Sequence, residues 1–517
     1  MTAAPRLSLS MARSGTLEVE RKYTPLESAG LPSLTSLPGV DHLGTPESHD
    51  LDAVYFDTET LALASRRITL RRRTGGVDAG WHLKLPVAAG ERREITEPLG
   101  GDPETVPLPL LQLVRVHTRD HKLLPVARLR THRTVLPLQS SEGTVLAEFS
   151  DDHVDAQLLP AADGSAKWRE WEIELVDAPR QLLKEADALF AADGVPAALA
   201  TSKLARALGS KYPPDPAPVP KPSRKAPASA ILLSYLYQQV EALKTQDPGV
   251  RTDAPDAVHQ LRVAARRMRS ALATFGKLTD SGTTKPLRAE LKWLASTVGQ
   301  ARDAEVMRAR LRELIGAERP ELLMGPVAQQ IEEHLGAVHH EARAAGLAAL
   351  DSDRYFRLLD SLDAFLAAPP LSGMAHKKAS KTVAPLVASE RRRLKKSVRA
   401  AFDEETGELP ADAPLHEIRK SAKRLRYAAE AVAPVFGKDA STLARAAEGI
   451  QEVLGDHQDS VVTRETLREL AAQAPDSGGN GFTYGRLHAV EQQRGDEARD
   501  RFIREWQKSP PKPLHRN

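Results

Sequence analysis

Residues Thr16–Tyr23 read TLEVERKY. Side chains alternate across a strand, so Glu18, Glu20 and Lys22 share one face and Leu17 and Val19 the other. A lone strand of this kind ordinarily shows its charges to water, but here the pattern recurs with complementary signs. In ITLRRR, Arg71 and Arg73 share a face opposite Leu70. In WHLKLP, His82 and Lys84 oppose Trp81, Leu83 and Leu85. In WEIELV, with the preceding residue, Glu170, Glu172 and Glu174 oppose Trp171, Ile173 and Leu175. Arg133 sits in a further candidate strand, and Glu148 with Asp152 in another. A sheet closed into a barrel turns such faces inward and leaves the apolar faces for helices to cover. The lumen then holds acids and bases together. Unpaired buried charges are very costly, so such a lumen must be wet or filled by ions.

A triphosphate with divalent cations satisfies both clusters. Its oxygens take the Arg and Lys donors, and carboxylates hold hard cations that bridge to phosphate. The chain has no cysteine, which excludes disulfides and thiolate metal sites. Oxygen and imidazole ligands suit magnesium or manganese.

Outward from these strands, the period-two pattern runs until YPPDPAPVPKPSRKAPA, Tyr212–Ala228. Its prolines forbid helix and sheet and favour an extended spacer. Before it, Gln181–Ala191 is one of few helical stretches. After it the period is 3.6, with amphipathic helices expected over Ala228–Lys244, Ala257–Phe275, Lys285–Gly299, Val306–Ile315, Glu332–Leu350, Lys377–Phe402, Leu415–Phe436 and Ser441–Leu454. The expected fold class is α+β: an N-terminal antiparallel β-tunnel, then an all-α domain. The expected boundaries are a disordered tail over 1–14, a β-rich domain over 15–211, a spacer over 212–228, a helical domain over 229–508 and a tail over 509–517. Met11 is an alternative start.

The helical half repeats itself. His259, Arg262, Arg266 and Arg269 form H-x2-R-x3-R-x2-R, and His416, Arg419, Lys423 and Arg426 form H-x2-R-x3-K-x2-R about 157 residues further on. Val298–Asp303, VGQARD, is echoed at nearly the same offset by Leu454–Asp459, LGDHQD. Two related four-helix halves follow, over about 229–370 and 377–508. At 100° per residue each basic set falls in a stripe roughly 80° wide. One such stripe is ordinarily a solvated face. Two in one domain compound like-charge repulsion unless a polyanion relieves it. Arg391–Arg393, Lys395 and Lys396 add to the charge. A linear polyphosphate binds such a groove by charge and counterion release. Nucleic acid is disfavoured because only 4% of residues are aromatic, leaving little for base stacking. Asp303 and Asp459 read as capping or pairing residues.

The hydrophobic share of 41%, the charged share of 27% and a net charge of +3 are those of a globular chain. A length of 517 residues implies two or three domains. No run approaches the roughly 18 apolar residues of a membrane helix, and Met1–Gly15 lacks an apolar signal core. Cytoplasmic residence is the default.

The ordered set Glu18-x-Glu20-x-Lys22, LRRR, HLKL, Arg133, EIEL and Ser202–Lys203 resembles the CYTH family, the triphosphate tunnel metalloenzymes, over about residues 15 to 211. The resemblance implies an eight-stranded tunnel that cleaves triphosphate-containing substrates with magnesium or manganese. It implies metal ligands at Glu18, Glu20, Glu172 and Glu174, with Asp152 an addition. Lys22, Arg71, Arg73, Lys84, Arg133 and Lys203 would grip phosphate, and Lys22, Glu18 and Glu20 would serve catalysis. Asp151 and Arg130 compete with Asp152 and Arg133, and Glu170 reads as an outer residue. The duplicated His-Arg motif, VGxxRD and Gly485–Trp506 resemble the CHAD family, conserved-histidine α-helical domains that bind inorganic polyphosphate, over about residues 229 to 508. Gln458 departs from Arg302 of the first copy and is expected to weaken one end of the groove. The joint resemblance implies hydrolysis of inorganic triphosphate beside polyphosphate binding, with location at polyphosphate granules. The alternatives are a non-catalytic polyphosphate-binding protein, or a tunnel acting on thiamine triphosphate or on ATP as a cyclase.

Overall fold

A computed structural model of the chain describes residues 15–88, 91–160, 165–200, 202–215, 219, 221–402, 410–473 and 481–514. The tail expected over 1–14, with Met11, lies outside the described residues, as do parts of the spacer and the last three residues. The chain divides into two compact units, Met1–Ala217 and Pro218–Asn517.

In the first unit the strands are β1 (Thr16–Tyr23), β2 (His42–Leu43), β3 (Glu47–Asp57), β4 (Thr69–Thr74), β5 (Gly80–Ala88) and β6 (Glu91–Glu97). After helix α1 (Leu108–Thr118) come β7 (Leu124–Gln139), β8 (Val145–Leu158) and β9 (Ser165–Leu175), then α2 (Gln181–Ala192) and α3 (Lys203–Leu208). The sheet runs β7-β3-β4-β5-β6-β1-β9-β8, and β8 pairs back to β7, closing an antiparallel eight-stranded barrel. β2 prolongs the line of β3 along β7.

Register decides what the barrel encloses. Glu20 lies opposite Glu174 and Lys22 opposite Glu172 across β1 and β9. Arg71 faces His82 across β4 and β5, and Lys84 faces Glu94 across β5 and β6. The alternate side chains point outward and are covered. Tyr23, Phe149, Trp171 and Ile173 pack with Leu182, Leu183 and Phe190 of α2. Leu70, Trp81 and Leu83 pack with Leu110, Leu113 and Val114 of α1. A polar lumen inside an apolar jacket inverts the ordinary arrangement, and the jacket supplies the burial that holds the barrel closed.

The second unit is helical: α4 (Ala228–Arg251), α5 (Ala257–Thr274), α6 (Ser281–Ala317), α7 (Val327–Leu350), α8 (Asp353–Ala367), α9 (Ala379–Ala401), α10 (Asp412–Phe436), α11 (Lys438–Gln473) and α12 (Phe482–Lys508). The successive packing α4–α5–α6–α7 is repeated by α9–α10–α11–α12, and α5 packs on α10 across the middle. Both halves begin alike: Ala228 N–H donates to Lys377 O and Ala379 N–H to Ala226 O, each at 2.9 Å. At their far ends Leu311, Ile331, Leu467 and Leu487 close a shared core.

Two expectations are corrected. Lys285–Gly299 and Val306–Ile315 are one continuous helix, α6, because the intervening residues carry no proline to break it. The first half also has a fifth helix, α8, capped by the Ser352 hydroxyl accepting from Tyr355 N–H. Among the described residues no helix is long and apolar enough to cross a membrane.

Candidate functional sites: a charged tunnel and a paired basic stripe

The tunnel is lined by Glu18, Glu20, Lys22, Arg71, Arg73, Lys84, Arg133, Glu172, Glu174 and Lys203. All ten were expected from strand alternation or from the family resemblance. The lining also includes Ser202, which stood in the motif set without a role, and Tyr55, Thr69, Asp78, Arg92 and Glu94, which those readings missed. Glu94 is the important omission. ERREITE alternates charges on both its faces, so no apolar side marks which charges turn inward.

Glu172 is the hub of the tunnel. It takes Lys22, Lys203 and, at 2.6 Å, Arg133. Burial pushes its carboxyl up, but Lys203, Lys22 and Arg133 outweigh that and hold it well below the usual range. Asp152 is fully buried behind the lining. It receives two Arg133 hydrogen bonds of 2.7 and 2.6 Å and lies 2.8 Å from Lys203. Its geometry is that of a residue that orients Arg133 and Lys203 from behind. Glu170 is also buried, 3.0 Å from Lys203, so it is not an outer residue. Arg130 and Asp151 turn elsewhere, to Asp52 and Arg169 respectively. Lys203 enters the lumen from the first turn of α3, where the Ser202 hydroxyl accepts from Ala205 N–H at 3.1 Å.

Charge is unevenly satisfied. Lys84 reaches Glu18 at 2.5 Å, and His82 Nδ1 lies 2.9 Å from Glu94. Burial and a hydrogen bond with Glu94 push Glu18 up to about 8 despite Lys84. Burial, with Glu20 and Glu172 alongside, raises Glu174, which has no ion pair among the described residues. This flank is short of positive charge. On the other flank, burial together with Arg71 and Arg133 pulls Arg73 down to about 9. The Nε atoms of Arg71 and Arg73 are buried without a hydrogen-bond partner. Arg73 instead pairs with Asp78 of the β4–β5 turn.

Among the described residues no three acidic or histidine side chains converge closely enough to hold an ion as they stand. The carboxylates lean onto lysines instead. The donor set nevertheless fits a hard cation, because Glu18, Glu94 and Glu174 are oxygen donors with excess negative charge between them.

In the helical unit the two stripes meet. Arg266 and Lys423 occupy equivalent positions on α5 and α10. Burial, then Arg419 and Arg266, bring Lys423 down to about 7. Burial foremost, with Arg266 adding to it, likewise lowers Arg419, although Asp459 opposes. The glycines of the second repeated feature explain its spacing. A Cβ at Gly299 would stand 2.5 Å from the Arg262 guanidinium, and one at Gly455 would stand 3.3 Å from that of Arg419. Each glycine thus seats one stripe arginine. Arg262 donates to Gly299 O at 3.1 Å and to Asp303 at 2.6 Å, which gives Asp303 the expected pairing role. At the ends, His416 Nδ1 lies 2.5 Å from Gln458 Oε1, and Arg426 is paired with Glu430 and Glu448, each at 2.8 Å. Arg266, Arg269, Arg419 and Lys423 have no ion pair among the described residues.

A closed barrel with a bipolar lumen and a duplicated helical unit with facing basic stripes define a two-domain architecture with concentrated charge in each domain. The chain belongs to the proteins that join a CYTH domain, matched over residues 16–207, to a CHAD domain, matched over residues 234–468. Uncharacterized proteins from two strains of Mycobacterium tuberculosis are 40% identical over 509 residues, which cover 94% of this chain and 95% of theirs. Among solved structures, PptA from Streptomyces chartreusis is 24% identical and covers 55% of this chain and 100% of its own, with a TM-score of 0.44. The CHAD domain from the plant Ricinus communis is 24% identical and covers 58% and 93%, with a TM-score of 0.40.

Proposed function

We propose that the tunnel hydrolyses inorganic triphosphate with a divalent metal, magnesium in the cell, and that the helical unit binds inorganic polyphosphate. The observation that carries the first part is the split lumen. One flank has carboxylates in excess and the other has guanidiniums in excess, and a metal triphosphate supplies the missing charge to both. Arg71, Arg73 and Arg133 hold the non-bridging oxygens of the chain, with Asp152 fixing Arg133 and Lys203. Lys22 stays protonated: burial lowers it, but Glu172 and Glu20 raise it above the ordinary lysine value. It therefore faces the charge that grows on the transferred phosphoryl group. Glu18, Glu20 and Glu174, with Glu172 once phosphate draws Lys22, Lys203 and Arg133 away from it, would hold the metal, which would neutralise phosphate charge and orient the chain. Water forms the new bond to the terminal phosphorus as the bridging P–O bond breaks, and pyrophosphate leaves.

A polyphosphate site in the helical unit favours a bare triphosphate over a nucleotide or thiamine ester. The free space in the lumen is about 80 Å³, little for any triphosphate while the internal ion pairs stand. Entry therefore means exchange of internal ion pairs for ligand pairs. In the helical unit, Arg266, Arg269, Arg419 and Lys423 supply the unpaired charge that a polyphosphate would meet, with His259, Arg262, His416 and Arg426 flanking them. Such binding would hold the chain at polyphosphate deposits. The test is orthophosphate release from inorganic tripolyphosphate, ATP and thiamine triphosphate, with and without magnesium. Tripolyphosphate should be turned over fastest. Release from ATP or thiamine triphosphate at an equal or higher rate would overturn the substrate assignment.

A further inference from the structure

We infer that polyphosphate does not lie evenly over the two stripes but is carried along α6, where Arg288 and Lys292 form a binding extension that the second half lacks. The inference rests on the reading of the helical unit as a polyphosphate site and adds a direction to it.

The two halves can be aligned on Gly299 with Gly455 and Asp303 with Asp459. Buried positions confirm that register: Leu287, Leu291 and Leu294 match Leu443, Ala447 and Ile450. Arg288 then matches Ala444, and Lys292 matches Glu448. On the stripe helices, Ala273 matches Glu430. At each of these three positions the second half is less positive than the first.

The consequence is visible at the equivalent arginines Arg269 and Arg426. Arg426 is satisfied within the protein by Glu430 and Glu448. Arg269 instead sits among Arg288 and Arg266, and burial together with both of them lowers its pKa. Neither Arg269, Arg288 nor Lys292 has an ion pair among the described residues. Arg288 and Lys292 are one turn apart and share a helix face. A cluster of like charges without counter-charge is costly unless an anion covers it. At Arg426 the second half has solved the same problem internally, so at this end of the stripes only the first half offers charge to a ligand. A polyanion long enough to cover the central Arg266–Lys423 pair therefore continues over α6.

The test uses the full chain with short-chain and long-chain inorganic polyphosphate, and reads affinity across a salt series. Arg288→Gln with Lys292→Gln should weaken long-chain binding about tenfold and make the log–log salt slope shallower by about one to two, the signature of lost phosphate contacts. Short-chain binding should change little. Glu430→Gln with Glu448→Gln should tighten binding by freeing Arg426. Lys122→Gln with Lys184→Gln, both exposed in the first unit, controls for net charge, and circular dichroism checks folding. If the α6 pair loses no more than this control pair, the extension does not exist. If the unaltered chain binds no polyphosphate, the underlying reading falls with it, which is a distinct result.

Discussion

Glu172 and Glu174 are two residues apart on one strand face yet do opposite things. Glu172 is saturated by three cations, whereas Glu174 has no ion pair among the described residues. Substitutions at Glu174 and at Lys203, the partner of Glu172, should therefore separate. Glu174→Gln should cut triphosphate turnover by about 100-fold or more while leaving the unfolding midpoint within about 1 °C of the unaltered chain, since a surplus charge is removed. Lys203→Ala should do more than stop turnover. It strips the shared cation from Asp152, Glu170 and Glu172, and breaking a buried pair costs about 3–5 kcal/mol. Chemical denaturation should show that loss. Equal stability of the two variants would contradict the assigned division between ligand-facing and structural charge. Alternation made Glu172 and Glu174 legible in the sequence as a pair. Which of them was already paired was not, because that depends on Lys203 arriving from a distant helix.

At the scale of elements, the fit of α5 on α6 and of α10 on α11 turns on one glycine each. Gly299→Ala should push the Arg262 guanidinium off Gly299 O and Asp303. The helix gains about 1 kcal/mol from alanine, so stability should hardly move while polyphosphate affinity falls. Gly455→Ala, with more room, should bind more nearly as the unaltered chain does. Isothermal titration on both variants checks this, and equal affinities would contradict it. The same helices predict a pH dependence. Lys423 faces Arg419 on its own helix, Arg262 and Arg266 on α5, and Asp459 on α11, and in the free protein it loses its proton near pH 7. Phosphate oxygens would restore that proton. Affinity should be greatest below pH 7 and fall as pH rises above it, with proton uptake on binding. Lys423→Gln should flatten the profile, and a profile that stays steep would place the titration elsewhere. Stability carries the opposite sign: the unfolded chain binds more protons between pH 7 and the ordinary lysine value, so stability rises with pH there. The repeat itself was legible from two motifs at one offset. Helix α8 was not read, although Ser352 followed by Tyr355, Phe356, Leu358, Leu359 and Leu362 is a capped amphipathic pattern. The break expected within α6 arose from the polar run around Arg302 and Asp303, which a helix tolerates when one face is solvated.

At the scale of the molecule, two different solutions to concentrated charge share one chain. The barrel closes acids and bases into one lumen, where they neutralise each other in part and leave a surplus of opposite sign on each flank. The helical unit separates its surplus cations onto facing stripes. The fold class was legible because each solution has its own period, two or 3.6, and a proline-rich spacer divides them. Glu94, Tyr55 and Arg92 were not, because barrel closure and not local pattern brings them inward. Substitutions in one unit should spare the other. Arg266→Gln with Lys423→Gln should abolish polyphosphate binding and leave tripolyphosphate turnover within about twofold, a change below about 0.4 kcal/mol.

The most direct measurement is orthophosphate release from inorganic tripolyphosphate by the full chain with magnesium, compared with the same chain carrying Glu20→Gln or Arg73→Gln. Each substitution removes a charge from an opposite flank of the lumen. Magnesium-dependent release by the unaltered chain, abolished by either change, is the expected result. No release with magnesium or manganese while polyphosphate still binds, or release undiminished in both variants, would contradict it.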